Sequence, residues 1–306
     1  MRQLKRRLTT RLEWLNNNID CFRPRQAGEL SEAGIKALSE LAIAHAWLED
    51  CRSRASPLAN FSSLQKSFEL WRAFIIRESE EMSYAQSARR RPAQAFCLLS
   101  PYLALRPSGY RSEYHEDTLR LLRCWRYPAV TEMVPYRVLD RDYFLWKFGS
   151  LKREPNWRTL YQTTTLACTR RIAYLNRDDA YSITHTLFYL TDFGNRPLPF
   201  DDYEKTRIKE IVEALLIHYW RTSYWDLVGE LLINLECLKM AKSICYVGSS
   251  NAFQRAWLED GAVPPHLIES EADSGDPKSN DKGPDGAVAS FGVTIIPPWL
   301  VRSTVP

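Results

Sequence analysis

One stretch of the sequence carries most of the groups that can exchange protons. Its polar and aromatic residues recur every three or four positions, which places them along one face of a helix: Asp178, Tyr181, His185, Tyr189 and Asp192. Histidine titrates near neutral pH, so His185 is the candidate for proton transfer as a general acid or base. The spacing predicts a helix from Asp178 to Leu190 that ends before Gly194.

The neighbours of His185 on this face have expected roles of their own. Tyr181 and Tyr189 lie one turn either side of it and are expected to donate hydrogen bonds or to line an apolar substrate. Asp192 lies two turns along the same face, too far for direct contact within a straight helix, and is expected to orient a neighbouring helix or a ligand group. Thr184 is counted among the substrate-binding candidates.

A second predicted helix supplies carboxylates at helical spacing. Asp226 and Glu230 form an i, i+4 row on a helix that begins at Trp225. Glu230 is the better partner for His185 because it is flanked by Leu227, Gly229 and Leu231, where a carboxylate is poorly solvated. Trp225 and Asp226 are predicted to contact the substrate.

The surroundings of the first helix predict burial on every side. No Lys, Arg or Glu occurs between Asp179 and Arg196, whereas a surface helix normally carries such residues opposite its core face. Burying Thr, His, Tyr and Asp is costly unless each finds a partner. Two interpretations remain open: the polar stripe belongs to a satisfied internal network, or it lines a cavity.

Two further groups of residues have both a structural and a chemical interpretation. His115 lies in an acidic helical first turn and is either a structural residue there or one half of an acid–base dyad; with Arg137 it is a substrate-binding candidate. Asp201, Asp202 and Glu204 form either an ordinary helix cap or a faint magnesium-diphosphate motif. Cys and His never fall at metal-ligand spacing, so no metal and no cofactor are predicted.

Composition limits the class of protein. The 306 residues carry 41 Lys and Arg against 37 Asp and Glu, a net charge of +4 that gives no electrostatic case for a nucleic-acid partner. No apolar segment has the length of a signal peptide core or a membrane helix. Seven scattered cysteines without a C-x-x-C pair suggest free thiols in the cytoplasm. A homodimer is compatible with the many Trp and Tyr residues.

The periodicity of apolar residues predicts an all-α fold. Helical spacing recurs along the chain and no sustained alternation of period two occurs, so the helices are expected to form hairpins, with a partial or complete α/α toroid as one arrangement. One helix is predicted from Asn156 to Arg171. We expect a single helical domain over residues 1–268, a mobile Gly-, Ser- and Asp-rich linker over 269–290, and a C-terminal segment, 291–306, that docks on the domain.

Several motifs together resemble one uncharacterised family. They are Trp14-Leu-x-x-Asn-Ile-Asp20, Pro135-Tyr-Arg137 through Gly149, Thr184-His185-x-x-x-Tyr189-x-Thr191-Asp192-Phe193-Gly194, and Trp225-Asp226-Leu-x-x-Glu230. The chain resembles a bacterial domain-of-unknown-function family that is common in actinomycetes and occurs near natural-product genes. Its Asp260-Gly261 turn is similar to turns of α/α-toroid cyclases, although Trp257 stands where the family carries Gln.

No assigned reaction comes with this resemblance. The sequence leads us to expect a cofactor-independent tailoring enzyme of natural-product biosynthesis, of cyclase or isomerase type, whose acid–base chemistry takes place on a small molecule or peptide in an aromatic-lined central cavity. The alternative is a non-catalytic helical scaffold that binds a partner peptide or protein.

Overall fold

The computed structural model describes residues 2–26, 29–53, 62–80, 82–169, 171–258 and 263. The predicted linker, the predicted docking segment and the Asp260-Gly261 turn lie outside these residues. Helices dominate the described part: α1 Arg2–Asn17, α2 Glu32–Ser53, α3 Ser62–Glu80, α4 Met82–Arg90, α5 Ala95–Leu105, α6 Glu113–Cys124, α7 Tyr127–Val130, α8 Pro135–Lys147, α9 Trp157–Gln162, α10 Thr165–Cys168, α11 Arg177–Leu190, α12 Asp202–Arg221, α13 Trp225–Cys237 and α14 Ile244–Arg255.

The extended structure within the described ranges is one short antiparallel pair. Strand β1, Arg25–Gln26, pairs with β2, Glu29–Leu30, in a register that sets Arg25 opposite Leu30. The prediction of an all-α fold is therefore confirmed. The toroid stays a prediction.

The described residues form two compact units, one up to Cys168 and one from Thr169 onward. The expectation of one domain over residues 1–268 stays a prediction. Neither unit contains, in its described residues, a helix long and apolar enough to cross a membrane.

Helix α5 is the core of the first unit. It packs against α2, α3, α4 and α8, and its residues from Leu98 to Leu105 are all buried. Such a helix needs no polar face, which agrees with its sequence of Leu, Ala and aromatic residues. Trp71 of α3 is also fully buried, and its indole N–H donates a 2.9 Å hydrogen bond to Asn16 Oδ1.

Helix α13 is the core of the second unit. It contacts α11, α12 and α14, and within it only Asp226 and Glu236 are more than slightly exposed. Helix α14 was not predicted from the sequence, because its Ile, Val, Ser and Gly residues have low helix propensity. Packing of its buried residues Ala252 and Phe253 explains how it forms in the protein.

Two sequence-based expectations about helix boundaries have definite outcomes. The single helix predicted over Asn156 to Arg171 was wrong: α9 and α10 are separated at Thr163 and Thr164, where the β-branched run makes a turn and the Thr164 hydroxyl bonds the Tyr161 carbonyl at 2.7 Å. Asp201 does cap α12, its carboxylate accepting the Glu204 N–H at 2.9 Å.

Candidate functional site

Helix α11 begins at a well-defined cap and becomes buried within one turn. Asn176 and Asp179 form a reciprocal capping box, each side chain accepting the other residue's backbone N–H at 3.0 Å. Asp178 in this first turn is exposed, so the polar stripe starts in solvent. From Ala180 to Leu190 every residue is buried except Tyr181 and His185, which are half-buried. These two side chains mark the one accessible edge of the helix.

The first cross-helix contact joins Tyr181 to Asp226 of α13. The phenol hydroxyl donates to Asp226 Oδ2 at 2.5 Å. Burial raises the pKa of Tyr181 far above its ordinary value, and the adjacent charges of Asp226 and Glu230 raise it further. Tyr181 therefore stays protonated at any physiological pH and serves as a hydrogen-bond donor rather than as a base.

The second contact, one turn further along both helices, joins His185 and Thr184 to Glu230. His185 Nε2 lies 3.7 Å from Glu230 Oε1, and the Thr184 hydroxyl lies 2.5 Å from Glu230 Oε2. That hydroxyl is also 2.9 Å from the Tyr181 carbonyl, so its single hydrogen has two competing acceptors. Glu230 is only 8% exposed, and a carboxylate buried this far depends on these partners.

These residues make up a polar ladder: Tyr181, Thr184, His185, Asp226 and Glu230. Within each helix these residues lie one turn apart, so Asp226 lies opposite Tyr181, and Glu230 lies opposite both Thr184 and His185. The His185 side chain is 26% exposed and the Glu230 side chain 11%, so the imidazole is the more accessible of the two. These contacts are of the kind that the internal-network interpretation requires, and the choice between network and cavity stays a prediction.

Aromatic rings surround His185 on its own helix. The rings of Phe188 and Tyr189 lie 6.0 Å and 6.1 Å from the imidazole, the latter edge-on. Phe193 stacks on Phe188 at 5.2 Å with the planes 9° apart. Tyr189 is buried, so its ring forms part of the wall behind His185 rather than an exposed contact.

Asp192 does not lie on the helical face that its spacing predicts. Helix α11 ends at Leu190, and Asp192 and Phe193 have φ of 48° and 51°, in the left-handed region, before Gly194 at 81°. The Thr191 hydroxyl stops the helix by donating to the Leu187 carbonyl at 2.7 Å and accepting the Gly194 N–H at 3.1 Å. The prediction that Asp192 continues the stripe was therefore wrong.

Arg196 is a structural residue that sequence analysis missed. Its Nε donates to the Leu190 carbonyl at 3.0 Å and its Nη2 to the Tyr189 carbonyl at 3.1 Å, which satisfies the end of α11 with a positive charge. Left-handed backbone at two non-glycine residues costs on the order of 1–3 kcal/mol each, so the turn needs such support. An arginine shortly after a helix-stop glycine is the pattern that indicates it.

We expect Arg196→Met to destabilise the protein by about 2 kcal/mol, because it removes two charge-assisted hydrogen bonds to carbonyl groups that stay buried. Urea denaturation measures this. Arg221→Met, at the exposed end of α12, is the matched control and should change the free energy of unfolding by less than about 0.5 kcal/mol. Equal effects of the two substitutions would show that the guanidinium does not hold the turn.

The remaining predicted site residues make contacts of their own outside the ladder. Trp225 is buried against Phe253 of α14 at 6.4 Å, and among the described residues its indole N–H has no acceptor. Arg137 and His115 belong to the first unit. Arg137 pairs with Asp140 at 3.1 Å, about one turn along the same helix. His115 is 2% exposed and its Nδ1 meets the Ser112 hydroxyl at 2.9 Å, so its ring is not paired there with a carboxylate.

Neither a metal cluster nor a described cavity involves the ladder. Within the described ranges, no group of three His, Cys, Asp or Glu side chains is placed to hold a metal ion. A cavity of about 140 Å³ in the second unit is lined by Pro197, Leu198, Lys205, Cys237, Leu238, Lys239 and Met240, and thus by none of the predicted site residues. The aromatic-lined central cavity expected around His185 stays a prediction.

The fold and the ladder define an all-helical protein whose second unit holds an accessible histidine against a buried carboxylate. Residues 8–285 match the family described as a domain of unknown function, DUF6895. The chain belongs to that family. No curated protein and no solved structure matches the chain significantly.

Proposed function

We propose that the protein is an enzyme that moves protons on a small organic molecule, with His185 as the acid–base residue and Glu230 as its partner. The observation that carries this proposal is the placement of His185: it is the accessible end of a proton-bearing pair whose other end, 3.7 Å away, is buried. Contacts of this kind are commonly loose without substrate and tighten in the complex. Tyr181, one turn away, donates its single hydroxyl hydrogen to Asp226 and so helps to fix α11 against α13.

The reaction class that suits this arrangement is an isomerisation or cyclisation. Such a reaction takes a proton from one atom of the substrate and returns one to another, so a single residue that can accept and donate is sufficient. The rings of Phe188 and Tyr189, 6.0 Å and 6.1 Å from the imidazole, keep the surroundings of His185 apolar. The resemblance to a bacterial family found beside natural-product genes points to a biosynthetic intermediate as the substrate, acted on in the cytoplasm.

Deletion and complementation of the gene in its native host tests this. Metabolite profiles should show an intermediate that accumulates on deletion and disappears when the wild-type gene is restored. Glu230→Gln keeps the shape of the side chain and removes its charge, so we expect it to leave at least about ten times more intermediate than wild type does.

The control is Glu210→Gln, on the exposed face of α12, which should restore the wild-type profile. Both variants need to be compared by immunoblot, since a destabilised protein would be degraded. If Glu230→Gln restores the profile as fully as Glu210→Gln does, Glu230 has no part in the reaction.

A second candidate function is a non-catalytic scaffold for a peptide or protein. It is favoured by exposed apolar residues on α14, where Ile244 is 92% and Val247 49% exposed and the two are one turn apart. On this hypothesis the ladder only joins α11 to α13. Metabolite profiles unchanged by deletion, together with loss of a co-purifying partner in Ile244→Lys, would support the scaffold instead.

A further inference from the structure

A cavity of about 260 Å³ lies within the first unit. Its interior is apolar and is formed by α5, α6 and α8. The side chains that give it this character are Phe96, Leu99, Leu103, Leu119, Leu122 and Leu145. Its volume lies just below the range for small-molecule sites, which is roughly 300–1,000 Å³, so it suits a small ligand. We call it the arginine pocket, because three arginines also line it.

Arg141 is the unusual member of this lining. Its side chain is 10% exposed, and its Nε donates to Asp142 Oδ1 at 2.8 Å. In the part of the chain that the structure describes, its other hydrogen bond is donated from Nη1 to the Met133 sulfur at 3.9 Å. A thioether is a weak acceptor, so the guanidinium keeps donors to spare beside an apolar cavity.

Arg141 lines the cavity, so its spare donors are available to a ligand that binds there. Asp142 offsets the charge, but one carboxylate oxygen on Nε leaves the Nη side of the planar fork without a strong acceptor. A carboxylate entering the cavity could accept from the Nη groups, which is the geometry in which arginine binds anions best. The chemistry of the pocket therefore favours a ligand with one anionic group.

The other two arginines of the pocket also favour a negatively charged ligand. Arg123 and Arg126 line the cavity and are exposed, so they raise the positive potential where an anion would enter. Arg126 holds this position with φ of 57°, a left-handed conformation that costs an arginine free energy and is more typical of functional positions. Inorganic phosphate alone would leave the leucine and phenylalanine side chains of the cavity in contact with water, so the ligand is expected to have an apolar part as well.

We propose that the arginine pocket binds an amphipathic carboxylate, a molecule with an acyl or aryl body that fills the apolar cavity and a carboxylate that reaches Arg141. This site does not depend on the function proposed for the ladder. Tight binding should require both the apolar body and the carboxylate of the ligand.

Isothermal titration calorimetry of the full chain with octanoate is the test. Octanamide, which has the same body without the charge, and acetate, which has the head group alone, should each bind at least about tenfold more weakly. Arg141→Met removes the cation at similar volume and should weaken octanoate binding about 10- to 100-fold, because charge-assisted hydrogen bonds are lost. It should leave octanamide binding within a factor of about three.

The matched control is Arg120→Gln. Arg120 is on the exposed face of α6, pairs with Asp117 at 2.8 Å and does not line the pocket, so octanoate should bind this variant as it binds wild type. Leu99→Trp fills the cavity and should abolish binding of octanoate and octanamide alike. The comparison of the three ligands on wild-type protein decides the question even if a variant fails to fold. Equal affinities for octanoate and octanamide, or no octanoate binding at all, would overturn the proposal.

Discussion

His185→Gln is expected to lower turnover of the accumulated intermediate by about 100-fold, the scale of a lost general acid or base. Glutamine keeps a polar side chain against Glu230 but neither takes up nor releases a proton. The melting temperature should stay within a few degrees of wild type, because His185 is 26% exposed and Thr184 still donates to Glu230. Single-turnover kinetics with the purified protein, together with a thermal melt, measures both quantities.

His218→Gln is the matched control, since His218 is an exposed histidine in the last turn of α12. It should leave both turnover and melting temperature unchanged. Two results would argue against a catalytic role. Unchanged turnover in folded His185→Gln removes the residue from the mechanism, and a parallel loss of turnover and stability means that His185 only joins α11 to α13.

The sequence indicated each half of the ladder because each half is a local pattern, whereas the Tyr181–Asp226 and Thr184–Glu230 contacts were not predicted. Tyr181 with His185, and Asp226 with Glu230, are each one helical turn apart, and the absence of charged side chains after Asp179 indicates that their helix is buried. That Glu230 and not Asp226 meets His185 depends on the register between α11 and α13, which no local pattern contains. The flanking Leu227 and Leu231 indicated only that Glu230 is buried, and not which residue it meets.

The errors came from competition between local preferences and packing. Extending the stripe to Asp192 assumed an uninterrupted helix, but the Thr191 side chain and the guanidinium of Arg196 close α11 two residues earlier. Helix α14 has poor intrinsic propensity and forms by contact with α12 and α13. The arginine pocket joins residues more than forty positions apart, from Phe96 to Arg141, and pairs of that separation leave no periodic trace.

Acid should destabilise the protein through His115, which the structure places in the core of the first unit. Burial lowers the pKa of this imidazole from 6.5 to about 4, against the smaller opposing effects of Glu80, the Ser79 carbonyl and Glu116. The ring stacks on Tyr102 at 4.5 Å, which leaves little water around it. The folded protein therefore binds this proton less readily than the unfolded chain.

The direction of the pH effect follows from that difference. Between pH 6.5 and about 4 the unfolded chain holds a proton on His115 that the folded protein lacks, so stability falls as pH falls through this window, by up to about 3 kcal/mol. Above pH 6.5 the contribution is fully present, and below about pH 4 it is gone. In His115→Gln this part of the pH dependence should disappear, whatever the variant's stability at pH 7.

Urea denaturation of wild type and His115→Gln at pH 7, 5.5 and 4 isolates the effect, because the carboxylates titrate in both proteins and cancel in the difference. The difference in unfolding free energy between the two proteins should change by about 3 kcal/mol from pH 7 to pH 4 in favour of the variant. His218→Gln, which removes an exposed imidazole, should follow the wild-type curve. Parallel curves for wild type and His115→Gln would mean that His115 takes up its proton equally in the folded and unfolded states, which is incompatible with an imidazole only 2% exposed against Tyr102.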